Sequence, residues 1–300
     1  MPSIVTPQIA DSHAVGALCA VLCRAYPFLH HTVIGESVCH RPLHALSIGH
    51  GDHAVLFAAA FHAQEWLTSL VALRLCEDLC RQISGEDVPG RFDFTTVCAT
   101  RTVVILPQMN PDGVDIAIHG SRRGGSHATM LRVHGADIKG VWQANAHGID
   151  LNHNFDAGRD ALAAIERRHG IRGPGARQFG GTTAESEPET KAICALCRRV
   201  AFHHVAALHS QGEEIYWQYG DRTPSHAHMT ARLLASVSGY TPASPNELAA
   251  HGGFKDWFIE QTGRMGFTFE LGRGCNPLTL DRFEPIYQKA RDMLLLTSIL

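Results

Sequence analysis

Four short segments of this chain are apolar along nearly their whole length: residues 54–61, 103–106, 205–208 and 267–271. A run with no polar side fits only where both faces are covered, and in a soluble protein that place is the middle of a largely parallel sheet between helices. Helical spacing appears between these runs. Ile9, Val15, Leu18 and Leu22 predict a helix within residues 8–25. Leu67, Leu70, Val71, Leu75 and Leu79 predict an amphipathic helix from Glu65 to about Ile83. Residues 187–201 predict another, with Ser186 as N-cap, Pro188 at its first position and Glu189 in its first turn. Residues 281–298 predict a C-terminal helix. The Gly-rich and polar stretches 120–147 and 173–184 predict surface loops, with one short helix near Met130. Strands alternating with helices, and no dividing linker, predict a single α/β domain.

Composition removes several classes of function. Lys and Arg total 26 against 29 Asp and Glu, a net charge of −3, so no basic face for nucleic acid is expected. No apolar run reaches the ~18 residues of a membrane helix. The N-terminal MPSIVTPQIADSH lacks the basic-then-apolar pattern of a signal peptide. Nine cysteines are an odd number in a chain too large to need disulfides, and most of them are expected reduced and buried in a cytoplasmic protein. Twenty histidines invite a search for metal ligands.

That search finds His62 and Glu65 where an apolar strand gives way to a helix. Two ligands three residues apart at such a corner can face one metal, and imidazole with carboxylate suits Zn²⁺. HxxE alone is weak, since a capping His beside a solvated Glu reads the same way. His209 strengthens it. That residue ends a second apolar strand, and ligands in open α/β sheets bind outside the carboxyl ends of strands. Glu270 sits in Phe267-Thr268-Phe269-Glu270-Leu271, a lone carboxylate amid apolar neighbours that would be costly without a role. Three protein ligands leave a fourth zinc position open, the mark of a catalytic site. Zinc there lowers the pKa of water towards ~7, and a nearby glutamate can move its proton to a leaving amine.

With these residues in place the chain resembles the zinc metallocarboxypeptidases (peptidase family M14) from about residue 30 onward. The family pattern is met by His62–Glu65, Asn110–Gly113, Asp150–Asn154, His209–Ser210 and Phe269–Glu270, five motifs in the family's order. Within the family the segments 142–148, 208–217 and 252–258 look like the bacterial γ-D-glutamyl-L-diamino acid peptidases. The resemblance implies a twisted, mixed eight-stranded sheet with helices on both faces. It implies a domain over residues 1–300, with 1–28 as a helical extension packed on it. It also implies one zinc per chain on His62, Glu65 and His209, Glu270 as general base and acid, and a non-proline cis peptide near Ser210–Gln211.

The chain departs from the family at several positions. The arginine that grips a substrate carboxylate with a bidentate fork is replaced by His153, while the neighbouring Asn152 is retained. Another arginine, Arg177 or Arg132, is the alternative grip. The arginine that steadies the oxyanion is replaced by Gln143, a neutral donor, with Arg122, Arg123 or Lys139 as possible substitutes. Leu248 stands where the family has a mobile tyrosine. Lys255 lies where the family's pocket floor selects side chains, and an ammonium there favours a carboxylate-bearing group; the bland reading is a surface lysine over the helix beginning at Asp256. Gln211, Glu213 and Glu214 either read a substrate amine or form a solvated loop.

The expected activity is hydrolysis of γ-D-glutamyl-diamino acid bonds in soluble muropeptides, by a zinc-activated water and a glutamate base. The alternatives are an ordinary cytoplasmic carboxypeptidase and an inactive zinc-binding relative.

Overall fold

The computed structural model describes residues 2–86 and 94–300. Eight strands form one sheet: β1 His30–Glu36, β2 Pro42–Gly49, β3 His53–Ala59, β4 Arg101–Leu106, β5 His204–His209, β6 Glu214–Tyr216, β7 Thr241–Ala243 and β8 Met265–Glu270. Their order across the sheet is β1-β2-β4-β3-β5-β8-β6-β7. The four central strands, β4, β3, β5 and β8, run parallel. They are the four apolar runs of the sequence. The strands outside them join antiparallel, β2 against β4 and β6 against β8. The sheet is therefore mixed, where the apolar runs alone predicted a largely parallel one. β1 is mostly exposed and β2 alternates, so neither carries the signature of a fully covered strand.

Alternate side chains of the central strands feed two cores. Val55, Phe57, Ala206, Leu208, Phe267 and Phe269 face helices Ser12–Ala25, Leu67–Ile83, Ala227–Ser238 and Phe283–Thr297. Leu56, Ala58, Val205 and Ala207 face helices Pro188–Arg199 and Phe254–Thr262 on the other side.

Helix Leu67–Ile83 is buried nearly all round, polar Thr68, Ser69, Glu77 and Asp78 included. The amphipathic reading is corrected because the N-terminal segment covers its outer side. Arg74 donates to the Val5 carbonyl at 2.9 Å, and Glu77 accepts from Val5 N at 2.9 Å. The first helix starts at Ser12, after an Asp11 cap that accepts from Ala14 N, so Ile9 lies outside it and exposed. Helix Pro188–Arg199 has Glu187 rather than Ser186 at its N-cap. The Ser186 hydroxyl instead donates to Glu187 at 2.8 Å and accepts from Asn154 at 2.9 Å. Glu189, in the first turn as expected, is buried. The stretch 120–147 is more than surface loop. It holds the short helix Ala128–Val133, and Leu131, Trp142, Ala144 and Ala146 form a small core with Ala63 and Ile116.

Candidate active site

β3 delivers the chain to the carboxyl edge of the sheet at Ala59, where Ala60 takes a left-handed φ of 52° and turns it. Thr68 pins that turn, its hydroxyl accepting from Ala60 N at 3.0 Å and donating to Glu65 O at 2.8 Å. A single 3-10 turn, Ala63–Glu65, then brings Glu65 back beside His62. β5 ends at His209 on the next strand, and its ring stacks on Phe61 with centroids 5.5 Å apart.

The three side chains converge. His62 Nδ1 lies 2.8 Å from Glu65 Oε1, His209 Nδ1 lies 3.0 Å from Glu65 Oε2, and the two Nδ1 atoms are 3.2 Å apart. Their ligand atoms all fall within 4.8 Å of one another. Two imidazole lone pairs and a carboxylate aimed at one point are what a zinc ion requires. Neutral imidazoles this close can share only a proton between them, so the donor set fits a cation. Burial alone would push the Glu65 carboxyl up, but His62 and His209 beside it hold it below the usual carboxylate range. His62 turns its other nitrogen to Asp150 Oδ1 at 3.2 Å. Such an outer carboxylate fixes a ligating ring's tautomer and direction.

Glu270 ends β8 in register with His209. Cross-strand partners share a face of the sheet, so its carboxylate stands on the same side as the histidine. The carboxylate itself makes no hydrogen bond to any described residue. Burial pushes its carboxyl well above the usual range, as do the Glu65 and Glu214 carboxylates, while His62 opposes the shift. The Ser210–Gln211 peptide that follows His209 is cis, as the resemblance implied.

The family model for zinc carboxypeptidases matches residues 16–293. The chain belongs to the zinc carboxypeptidase family. The γ-D-glutamyl-L-diamino acid endopeptidase 1 of Lysinibacillus sphaericus is 34% identical over 274 residues, 90% of this chain and 67% of that protein. An uncharacterized Bacillus subtilis protein, YqgT, is 32% identical over 293 residues, 96% of this chain and 76% of that protein. Bovine thrombin-activatable fibrinolysis inhibitor, solved with tick carboxypeptidase inhibitor, shares the fold with a TM-score of 0.73 at 22% identity, covering 98% of this chain and 96% of that one. The protein is thus a zinc metallopeptidase of this family.

As a zinc carboxypeptidase relative it keeps Asn152 well placed. The side-chain carbonyl accepts from Phe254 N at 3.1 Å, which leaves the NH₂ group for a ligand. Gln143 is tied to the zinc-ligand turn through its main chain, its carbonyl accepting from Ala63 N at 2.9 Å. Its half-exposed side-chain amide has no partner among the described residues. Gln211 is exposed, and its side-chain oxygen accepts from Gly274 N at 3.2 Å.

Two side chains read as substrate contacts are buried and have internal partners. His153 is buried, with Nδ1 between Glu166 Oε1 at 3.1 Å and the Gln178 carbonyl at 3.0 Å. Through Nδ1 the ring braces the 178–180 loop, where Glu166 also accepts from Gly180 N at 2.9 Å. Lys255 is neither a surface lysine nor a free cation. It is buried, pairs with Asp256 and donates to the Gln218 carbonyl at 2.8 Å. Among the substitute arginines, Arg123 is held by Asp115 and Arg132 by Asp137. Exposed Arg177 donates to Val141 O at 3.3 Å, and its neighbour Ala176 accepts from Gln143 N at 2.8 Å.

Asp150 and Asn276 were missed as supports. Asp150 lay inside the DLN motif, whose Asp was not weighed as a partner for His62. Asn276 links its Nδ2 to the Ser210 carbonyl at 2.6 Å and to Glu65 at 3.5 Å, from a loop with no sequence signal.

Proposed function

We propose that this protein hydrolyses γ-D-glutamyl-diamino acid bonds in cell-wall-derived peptides, with His62, Glu65 and His209 holding one zinc ion. The observation that carries the substrate class is the 34% identity, over 90% of the chain, to a γ-D-glutamyl-L-diamino acid endopeptidase. Zinc bound at the three donors supplies a Lewis acid for the scissile carbonyl and for water. Glu270 takes the proton of the attacking water and returns it to the leaving amine. The Gln143 amide donates to the oxyanion without a full charge. Asn152 donates to the carboxyl side of the substrate, and Gln211 offers its free NH₂ from the neighbouring loop. With Lys255 already paired to Asp256, a substrate carboxylate reaches that ammonium only by competing with an internal one. Nine free cysteines fit a reducing compartment, and soluble muropeptides in the cytoplasm are the proposed substrates. No described helix is long and apolar enough to cross a membrane.

The test is turnover of L-Ala-γ-D-Glu-meso-diaminopimelate by the zinc-loaded protein. Release of diaminopimelate, lost in Glu270→Gln, supports the reading. Removal of C-terminal residues from ordinary α-peptides, with the γ-D-glutamyl bond untouched, refutes it in favour of a plain carboxypeptidase.

A further inference from the structure

Strand β6 brings a second carboxylate to the side of Glu270. Glu214 is the antiparallel register partner of Glu270, and Tyr216 is the partner of Thr268. Register partners stand on one face of a sheet, so Glu214, Tyr216, Thr268 and Glu270 share the face that carries His209. Ile215 and Phe269, between them, turn to the opposite core. Gly212 leaves the gap beside the two acids open. A Cβ there would stand 3.4 Å from Glu270 Cβ and 3.5 Å from Glu214 Oε2, so both side chains border one point.

Like charges directly opposite on neighbouring strands destabilise a sheet unless a cation offsets them. The chain supplies none to Glu214 among the described residues. Arg273 and Lys289 both pair with Glu213 at 2.7 Å, and Lys255 pairs with Asp256. Glu214 receives only a neutral donor, the Tyr216 hydroxyl, at 2.8 Å on Oε2. The side chain is half-buried, so a ligand can reach it. It stands one strand spacing beyond Glu270, about 4.8 Å. The chain between the two nitrogens of a diamino acid is as long as two extended residues, about 7 Å. With one nitrogen at Glu270, the other reaches Glu214.

We propose that Glu214 reads the second amine of the substrate, pairing the ω-ammonium of the diamino acid while its α-nitrogen leaves at Glu270. Tyr216 holds the Glu214 carboxylate in place for that ammonium. The substrate cation also offsets the two opposed carboxylates, so a leaving residue without a second amine forgoes both contributions. The inference rests on the proposed function and names the residue that selects a diamino acid.

The test compares L-Ala-γ-D-Glu-meso-diaminopimelate with the peptide ending in L-2-aminopimelate, which lacks only the second amine, in wild type, Glu214→Gln and Tyr216→Phe. Wild type should prefer the diamino acid peptide by about tenfold or more in kcat/KM, the worth of a charge-assisted hydrogen bond. The ratio should fall towards one in Glu214→Gln and by less in Tyr216→Phe. Calorimetric binding of free meso-diaminopimelate and 2-aminopimelate to the zinc-loaded protein gives the same comparison without turnover. A wild-type ratio near one, or a ratio unchanged in Glu214→Gln, overturns the inference while the γ-D-glutamyl bond is still cut. A merely structural Glu214 would lower both peptides together and leave the ratio in place. If wild type cuts the γ-D-glutamyl bond in neither peptide, the proposed function fails, and the calorimetric ratio decides for or against Glu214.

Discussion

His209 and Glu270 are register partners at the carboxyl ends of two neighbouring parallel strands. A nitrogen ligand and an unpaired carboxylate are thereby held on one face by backbone hydrogen bonds on both sides. Both stand on strands, so the proposed proton-handling Glu270 and the proposed metal donor His209 keep a fixed spacing.

Glu270→Gln is expected to lower kcat by about 10²–10⁴-fold while zinc content stays at one per chain. Elemental analysis alongside kinetics checks this. Loss of zinc in the variant would make Glu270 a ligand and not a base.

Asp150→Asn tests the support of His62. Asp150 also accepts from Asn152 N at 3.1 Å on one oxygen and from Gln178 N at 2.9 Å on the other, so the amide variant loses a backbone acceptor as well and urea unfolding is measured beside it. Zinc affinity should fall about 10–100-fold in a chelator competition. Unchanged affinity would show that the Phe61 stack and Glu65 orient the cluster unaided.

Phe61 is fully buried and stacks on both His209 and Phe254. Phe61→Leu should cost roughly 1–1.5 kcal/mol in urea unfolding. Zinc affinity should fall with it, because the His209 ring loses its flat support. A stability loss with no change in affinity would confine Phe61 to packing.

Glu189 provides a pH test away from the metal. Burial, with the Asp112 carboxylate nearby, raises its carboxyl from 4.5 to about 8. The folded chain therefore binds one more proton than the unfolded chain between those values. Its contribution to stability is fully present below about pH 4.5 and is lost as pH rises through about 8. In Glu189→Gln that slope should vanish, flattening stability against pH by a few kcal/mol, roughly, over the window. Urea midpoints between pH 5 and 9 measure it. Parallel slopes in wild type and variant would mean that Glu189 is ionised in the fold.

The site was readable to the depth at which residue type and position coincide. His62 and His209 each close an apolar run, Glu65 follows three residues after His62, and Glu270 stands inside the last run, all of which is visible without coordinates. The partners of His153 and Lys255 were not readable, because a motif position says where the backbone goes and not which way a side chain turns. Glu166, from outside the motifs, holds His153, and Asp256, the neighbour of Lys255 within segment 252–258, pairs with that lysine. The burial of Glu189 was not readable for the related reason that a helix's first turn is exposed only if nothing packs on it.

The amino-acid sequence by itself determined the four central strands, since a run apolar on both sides is stable only between two layers of helices. It also determined the residues at their carboxyl ends, and with them the family. The tertiary structure alone decided the antiparallel flanks, the burial of helix Leu67–Ile83, the pairing of His62 with Asp150, and the register of Glu214 against Glu270. Each of these depends on contacts between segments far apart in the chain. Half-covered strands and shared carboxylates carry no local period, so their partners emerge only when the chain is folded.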